Sequence, residues 1–183
     1  MLLSKNLTLA EAVRSETAKR LGIDNTPTDK HLENLKVTAE KLFQPIREHF
    51  KCPVYVSSMY RSESLNKAIK NSSTTSLHMT GQAIDIDMDH TEVSNKEIFD
   101  FVKDNLEFDT LIWEFGDESP NWVHVSYREG KNRNQVLQAY KNDNGLTSYR
   151  MYEQKKKKVQ GNKNRSVSSR KIRSVSDTSR DNT

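Results

Sequence analysis

The chain is poor in cysteine, with Cys52 the only one among its 183 residues. A single cysteine excludes an intramolecular disulfide and a zinc site built from several cysteines. No run of eighteen apolar residues occurs, so the sequence predicts no membrane-spanning helix. Residues 1–7 lack the apolar segment and the cleavage site of a secretory signal. We therefore expect a protein with no membrane anchor and no signal peptide.

Hydrophobic residues are also scarce, at 33% of the chain, which indicates that part of it is not packed. The formal net charge of +4 is unevenly distributed: residues 155–183 hold ten of the 29 basic residues and two of the 25 acidic ones. Residues 1–154 consequently carry a net charge of −4. We expect a folded domain over residues 1–153 and a basic, low-complexity, disordered tail over residues 154–183.

The basic tail has two interpretations. It would either attach electrostatically to an anionic polymer, such as nucleic acid, teichoic acid or a membrane surface, or serve only as a solubilising segment. Because the rest of the chain is mildly acidic, the positive net charge is no argument that the domain itself binds nucleic acid.

Hydrophobic periodicity predicts a mixture of helices and short strands. The predicted helices cover residues 8–21, 30–50 and 95–105, with a shorter one ending near residue 69. The predicted strands cover residues 53–58, 83–88, 109–115, 122–128 and 134–140. Thr8 and Glu11 have the spacing of a capping box, and Pro45 should kink or divide the second helix. The expected fold class is α+β, with a small antiparallel sheet packed by N-terminal helices.

The stretch from Ser76 to Asp87 carries the clearest chemical signal. It places His78 in a polar turn that contains a glycine, and Asp85 seven positions later on a predicted strand. A second histidine, His124, lies on another predicted strand. Imidazole nitrogens and carboxylate oxygens are ordinary zinc ligands, and three of them leave a fourth position open for water. We therefore predict one catalytic Zn²⁺ ion bound by His78, Asp85 and His124.

Glu114 is the candidate general base. After Asp109 at its start, the predicted strand 109–115 carries one charged residue in its interior, Glu114, between Trp113 and Phe115. Burial there should raise the pKa of its carboxyl group, which suits a base that acts beside a metal-activated water. The alternative is a glutamate at the end of the strand, exposed to solvent.

Arg61 is at a predicted junction between a strand and a helix. Its guanidinium could bind a carboxylate or a developing oxyanion, for which a planar pair of donors is suited. The alternative is an ordinary surface arginine.

Three stretches together resemble the M15 metallopeptidases, the family of D-Ala-D-Ala carboxypeptidases and related peptidoglycan peptidases. They are Val56–Ser62 with Asn66, Ser76–Asp85 and Trp122–Ser126, within a resemblance that covers about residues 7–140. The small subgroup common in phages and bacteria is the most similar. The resemblance implies the α+β zinc-peptidase fold shared with the Hedgehog signalling domain, in which the sheet carries the metal site.

The resemblance also implies roles for individual residues. His78, Asp85 and His124 match the zinc ligands, and Arg61 matches the arginine that engages substrate and the developing oxyanion. Many members have the catalytic acid three residues before the last histidine, where this chain has Asn121. Glu114 matches a glutamate at the end of the preceding strand, and Glu118 is the second candidate for the base. Substrate binding is expected from Arg61, Ser76 and Trp122.

The activity implied is hydrolysis of peptidoglycan stem peptides by metal-activated water, as either a carboxypeptidase or an endopeptidase. The alternative is a non-catalytic zinc-binding module of the same fold, whose basic tail attaches it to an anionic polymer. We expect a monomer that acts at the cell wall if it is delivered there, by a phage virion or during host lysis, and is otherwise cytoplasmic.

Overall fold

The fold combines short helices with a six-stranded sheet and a small two-stranded one. The computed structural model describes residues 1–89 and 91–153. The strands are β1 (Leu2–Ser4), β2 (Leu7–Thr8), β3 (Val56–Ser58), β4 (Ala83–Ile86), β5 (Thr110–Glu114), β6 (Trp122–Ser126), β7 (Gln135–Lys141) and β8 (Thr147–Met151). The α-helices are α1 (Leu9–Ala12), α2 (Glu16–Leu21), α3 (Asp29–Thr38), α4 (Gln44–Phe50), α5 (Glu63–Ala68) and α6 (Asn95–Asn105). The predicted α+β class is therefore confirmed.

The larger sheet has the strand order β3-β4-β6-β5-β7-β8. Its neighbouring strands are antiparallel except for β5 and β7, which run parallel. Strands β1 and β2 form the separate two-stranded sheet. The parallel pair brings the β7–β8 hairpin to the side of β5 opposite β6, so the hairpin extends the sheet next to the strand that carries Glu114.

Side chains alternate between the two faces of each central strand, and this alternation separates the core from the candidate site. One face carries the buried hydrophobic residues Ile84, Ile86, Leu111, Trp113, Val123 and Val125. These side chains join the core formed with α3, α4 and α6. The other face carries Asp85, Glu114 and His124, which line an open cleft. The apolar core thus fixes the strands that position the polar residues.

The single helix predicted over residues 8–21 is wrong, because the structure divides it into α1 and α2. The capping box at Thr8 and Glu11 is present and starts α1. Ser15 then starts a second helix, because its side chain accepts a hydrogen bond from the Ala18 N–H. The carbonyl of Ala12 accepts a hydrogen bond from the Tyr60 N–H rather than from a continuing helix.

Residues Asp29–Phe50 are helical throughout, close to the predicted range, but the geometry changes in the middle. Residues Ala39–Phe43 form a π-helical segment between α3 and α4. Pro45 lies near the start of α4, where its missing N–H interrupts the regular hydrogen-bond ladder. The π segment lies just before this proline, and prolines and π-bulges are both sites at which a helix departs from regular geometry.

The strand β8 lies beyond the last strand that the sequence predicts, residues 134–140. Its side chains are mostly exposed, so it lacks the strong apolar alternation of a half-buried strand.

None of the helices in residues 1–89 and 91–153 is long and apolar enough to cross a membrane. The tail predicted over residues 154–183 lies outside the described residues.

Candidate metal centre

His78 is held by a short 3₁₀ turn, Leu77–Thr80. The side chain of Ser76 caps the turn by accepting a hydrogen bond from the His78 N–H at 3.4 Å. Gly81 ends it with φ +74°, and a Cβ at this position would lie 2.8 Å from the carbonyl oxygen of His31 and 2.9 Å from Leu35 Cγ. Only glycine satisfies both the backbone angle and the close approach of α3. The Gly81 turn therefore connects His78 to the strand that carries Asp85.

The His78 ring is buried, with 2% exposure, and its orientation is fixed. Nδ1 lies 2.8 Å from the carbonyl oxygen of Met59. Because a carbonyl only accepts hydrogen bonds, Nδ1 must carry the proton, and in the neutral ring Nε2 has the free lone pair. A backbone acceptor on the second ring nitrogen is the usual way to orient a metal-binding histidine.

Asp85 and His124 face each other across β4 and β6, where they are paired in register. Asp85 Oδ1 lies 2.7 Å from His124 Nδ1, and Asp85 Oδ2 lies 3.2 Å from His78 Nε2. His78 Nε2 and His124 Nδ1 are 3.3 Å apart. One ligand atom from each residue thus lies within 4.8 Å of the others. The structure brings together the three residues that the sequence analysis named as ligands.

The protonation states of His78 and Asp85 favour the binding of a cation. Burial lowers the pKa of His78 and favours its neutral form. Burial alone would raise the pKa of Asp85, but the close contacts with the ring nitrogens of His124 and His78 lower it well below its ordinary value. A neutral His78 then directs its Nε2 lone pair at an ionised carboxylate, an arrangement that a positive ion between them would relieve. The donor set of two imidazoles and one carboxylate fits Zn²⁺.

Arg61 lines the cleft, but its guanidinium is already engaged. Nη2 donates to Asp85 Oδ2 at 3.2 Å, and Nε donates to Ser58 Oγ at 3.0 Å. A longer contact of 3.5 Å joins Nη1 to Asn66 Oδ1. The side chain is 15% exposed. Arg61 is therefore no ordinary surface arginine, because it orients the Asp85 carboxylate from the side away from His124.

Glu114 ends β5 on the cleft face, opposite Trp122 of β6. It is 7% exposed, and burial raises the pKa of its carboxyl group to about 7. The raised pKa agrees with the sequence-based expectation. Phe115 follows with φ +58°, an uncommon angle for a residue with a side chain. The turn is closed by the Asn121 N–H, which donates to the carbonyl oxygen of Glu114 at 2.9 Å.

Glu118, the second candidate for the base, lies elsewhere, and so does Asn121, which is at the usual acid position of the family. Glu118 and Asn121 are exposed on the turn between β5 and β6, and neither is among the residues that line the cleft. The geometry therefore favours Glu114 over Glu118. Asp87 follows the end of β4 and accepts a hydrogen bond from the Asp89 N–H; it too lies outside the cleft lining.

The cleft has a volume of about 560 Å³ and is lined by the three predicted ligands, by Glu114 and by the predicted substrate contacts Arg61, Ser76 and Trp122, but not by Glu118. The remaining lining residues include four that follow β6 in the chain and that the sequence analysis did not name: Arg133, Lys141, Thr147 and Tyr149. Except for Arg133, they belong to the β7–β8 hairpin. Only long-range strand pairing brings these residues to the site, so no local motif could have indicated them.

Comparison with known protein families agrees with this geometry. A cleft with two histidines, one aspartate and a buried glutamate is typical of a metal-dependent hydrolase. Residues 5–126 match the family described as Peptidase M15, and the chain belongs to this family of metallopeptidases. No curated protein matches the chain. The matched region includes His78, Asp85, Glu114 and His124 but ends before the β7–β8 hairpin.

The raised pKa of Glu114 predicts a pH-dependent effect on stability. The folded pKa of about 7 exceeds the ordinary value of 4.5, so burial of this group is tolerated at low pH and destabilises the fold as pH rises through 7. In metal-free protein, Glu114→Gln should raise the free energy of unfolding by up to about 3 kcal/mol above pH 7, and by little below pH 4.5. Urea unfolding of both proteins with a chelator at pH 4.5 and pH 8 measures the difference. An equal difference at the two pH values would contradict the raised pKa.

Proposed function

We propose that the protein is a zinc peptidase that hydrolyses peptide bonds in peptidoglycan stem peptides. The observation that carries this proposal is the approach of three ligand atoms from His78, Asp85 and His124 within the cleft that also holds the buried Glu114. The site has the ligand set of a catalytic zinc centre, with three protein ligands rather than the four of a structural one.

The proposed mechanism assigns separate tasks to the residues of the cleft. Zn²⁺ bound by the three ligands would supply Lewis-acid chemistry, polarising the scissile carbonyl and lowering the pKa of water. Glu114 takes a proton from the attacking water and returns it to the leaving amine as the carbon–nitrogen bond breaks. Burial raises the pKa of the Glu114 carboxyl group, which helps a group that must act first as a base and then as an acid. Arg61 orients Asp85 and presents positive charge to the developing oxyanion or to a substrate carboxylate.

The choice of substrate rests on the family rather than on the geometry. Stem peptides contain D-residues and end in a carboxylate, and Ser76, Trp122 and Arg61 are the proposed contacts. We propose that a monomer acts at the cell wall after delivery by a phage virion or during host lysis, with residues 154–183 attaching it to an anionic polymer. Carboxypeptidase and endopeptidase activities release different products, and both are compatible with an open cleft.

The test is digestion of purified peptidoglycan, with and without a chelator, followed by quantification of the released amines and mass spectrometry of the fragments. The proposal expects new amines that disappear with the chelator and return on addition of Zn²⁺. Loss of single terminal residues would identify a carboxypeptidase, and internal fragments an endopeptidase. A protein that binds zinc but releases no amine would instead be the non-catalytic module.

A further inference from the structure

The cleft is basic although the folded part of the chain is acidic. Residues 1–154 carry a net charge of −4, yet four cationic side chains line the cleft, those of Arg61, Lys70, Arg133 and Lys141, against three carboxylates: Asp85 and Glu114 in the lining and Asp109 behind Arg133. A concave surface with an excess of one charge concentrates ligands of the opposite charge. The cleft therefore favours an anionic peptide.

Arg133 is the best oriented of these cations. Its Nε donates to Asp109 Oδ1 at 2.7 Å and its Nη2 to Asp109 Oδ2 at 2.8 Å. Nη2 also donates to Thr110 Oγ1 at 2.7 Å. The Asp109 side chain is fully buried, while 56% of the Arg133 side chain is exposed. A buried carboxylate thus anchors one edge of the guanidinium and leaves its other part at the cleft surface.

The position of Arg133 follows from the strand register. Ile112, His124 and Asp85 form one row across β5, β6 and β4. Glu114 lies two residues further along β5, and Thr110, which accepts the hydrogen bond from Arg133, lies two residues in the opposite direction. Two residues of a strand span about 7 Å. The candidate metal site is therefore flanked by the proposed base on one side and by the anchored guanidinium on the other.

We propose that Arg133 binds a carboxylate of the substrate about two residues from the scissile bond, and so selects acidic peptides. The distance of about 7 Å from the row of His124 to Thr110 matches two residues of an extended peptide. A guanidinium held in place by a buried partner loses little side-chain entropy on binding, and a charge-assisted pair with a carboxylate is stronger than a neutral hydrogen bond. This inference rests on the proposed peptidase function and adds the substrate feature that the cleft recognises.

In a stem peptide, two carboxylates could make this contact: the α-carboxylate of D-glutamate and the C-terminal carboxylate. Three forms of the synthetic peptide L-Ala-γ-D-Glu-L-Lys-D-Ala-D-Ala distinguish them, one with both acids free and one with each acid converted to an amide. We expect one of the two amides to lower kcat/KM of the zinc-loaded wild-type protein by about 10- to 100-fold, mainly through KM. The amide that has this effect identifies the carboxylate that Arg133 binds.

In the variant Arg133→Gln, the same amidation should change kcat/KM by less than about threefold. Because Arg133→Gln leaves the buried Asp109 charge unpaired and could unfold the protein, the double variant with Asp109→Asn removes both charges and gives the same readout. Arg150→Gln is the matched control, since Arg150 of β8 contacts Gln138 of β7 and is not among the residues lining the cleft. It should retain the full preference for the free acid.

The results separate the two proposals. If the wild-type protein cleaves all three peptides equally, or if the folded Arg133 variants keep the wild-type preference, carboxylate binding by Arg133 is wrong while the peptidase function stands. If the zinc-loaded protein cleaves neither these peptides nor peptidoglycan, the proposed function fails and this inference fails with it.

Discussion

The variant Glu114→Gln should lose peptidase activity by a factor of at least about 100 in kcat while it still binds Zn²⁺. Glutamine is nearly isosteric with glutamate, so it fits the same buried position at the end of β5. It cannot accept a proton from water, and the step assigned to Glu114 would have no base. Rates of amine release at saturating peptide, with metal content measured on the same samples, test this prediction.

Glu118→Gln is the matched control for Glu114. The same chemical change is made on the turn that follows β5, at an exposed residue outside the cleft lining. We expect wild-type activity from it. If Glu118→Gln were inactive and Glu114→Gln active, the general base would have been assigned to the wrong glutamate. If both variants were active, neither residue would be the base.

The second large effect is expected from Asp85→Asn. Asp85 supplies the negative charge of the proposed ligand set, and its carboxylate contacts His78, His124 and Arg61. The neutral amide would leave the positive charge of Zn²⁺ uncompensated by any ligand. Since removing partners that only orient the ligands already costs 10- to 100-fold in metal affinity, we expect a loss of at least about 100-fold here. Competition with a chromophoric chelator measures the affinity.

Activity of Asp85→Asn should fall with its zinc occupancy and recover in part at high zinc concentration. Asp87→Asn serves as the control, because Asp87 is two residues away and accepts a hydrogen bond from the Asp89 N–H, which an asparagine side-chain oxygen can also accept. Its zinc affinity should equal that of the wild-type protein. Equal zinc affinity in Asp85→Asn and Asp87→Asn would remove Asp85 from the ligand set.

The approach of His78, Asp85 and His124 could be predicted from the sequence because two of its causes are local. A glycine turn links His78 to the strand of Asp85, and strand alternation places both Asp85 and His124 on the polar face of their strands. The raised pKa of Glu114 was predictable for the same reason, since apolar neighbours on both sides indicate a buried strand. These features depend on residues that are near one another in the chain.

The features that sequence analysis missed depend on contacts between distant segments. The pair of Arg133 and Asp109 requires β7 to lie parallel to β5, and no pattern within residues 127–134 indicates this. The break between α1 and α2 results from competition between Ser15 as a helix cap and continuation of the helix, which helix periodicity alone does not resolve. Arg61 could be assigned to the site through the family resemblance, but its ion pair with Asp85 could not be predicted.

The most direct test of the account is a crystal structure of the zinc-loaded protein with anomalous diffraction data collected at the zinc absorption edge. The account predicts one strong anomalous peak, about 2.0–2.2 Å from His78 Nε2, His124 Nδ1 and an oxygen of Asp85. A zinc peak bound by other residues, or a zinc-saturated protein with no peak between these three side chains, would contradict it.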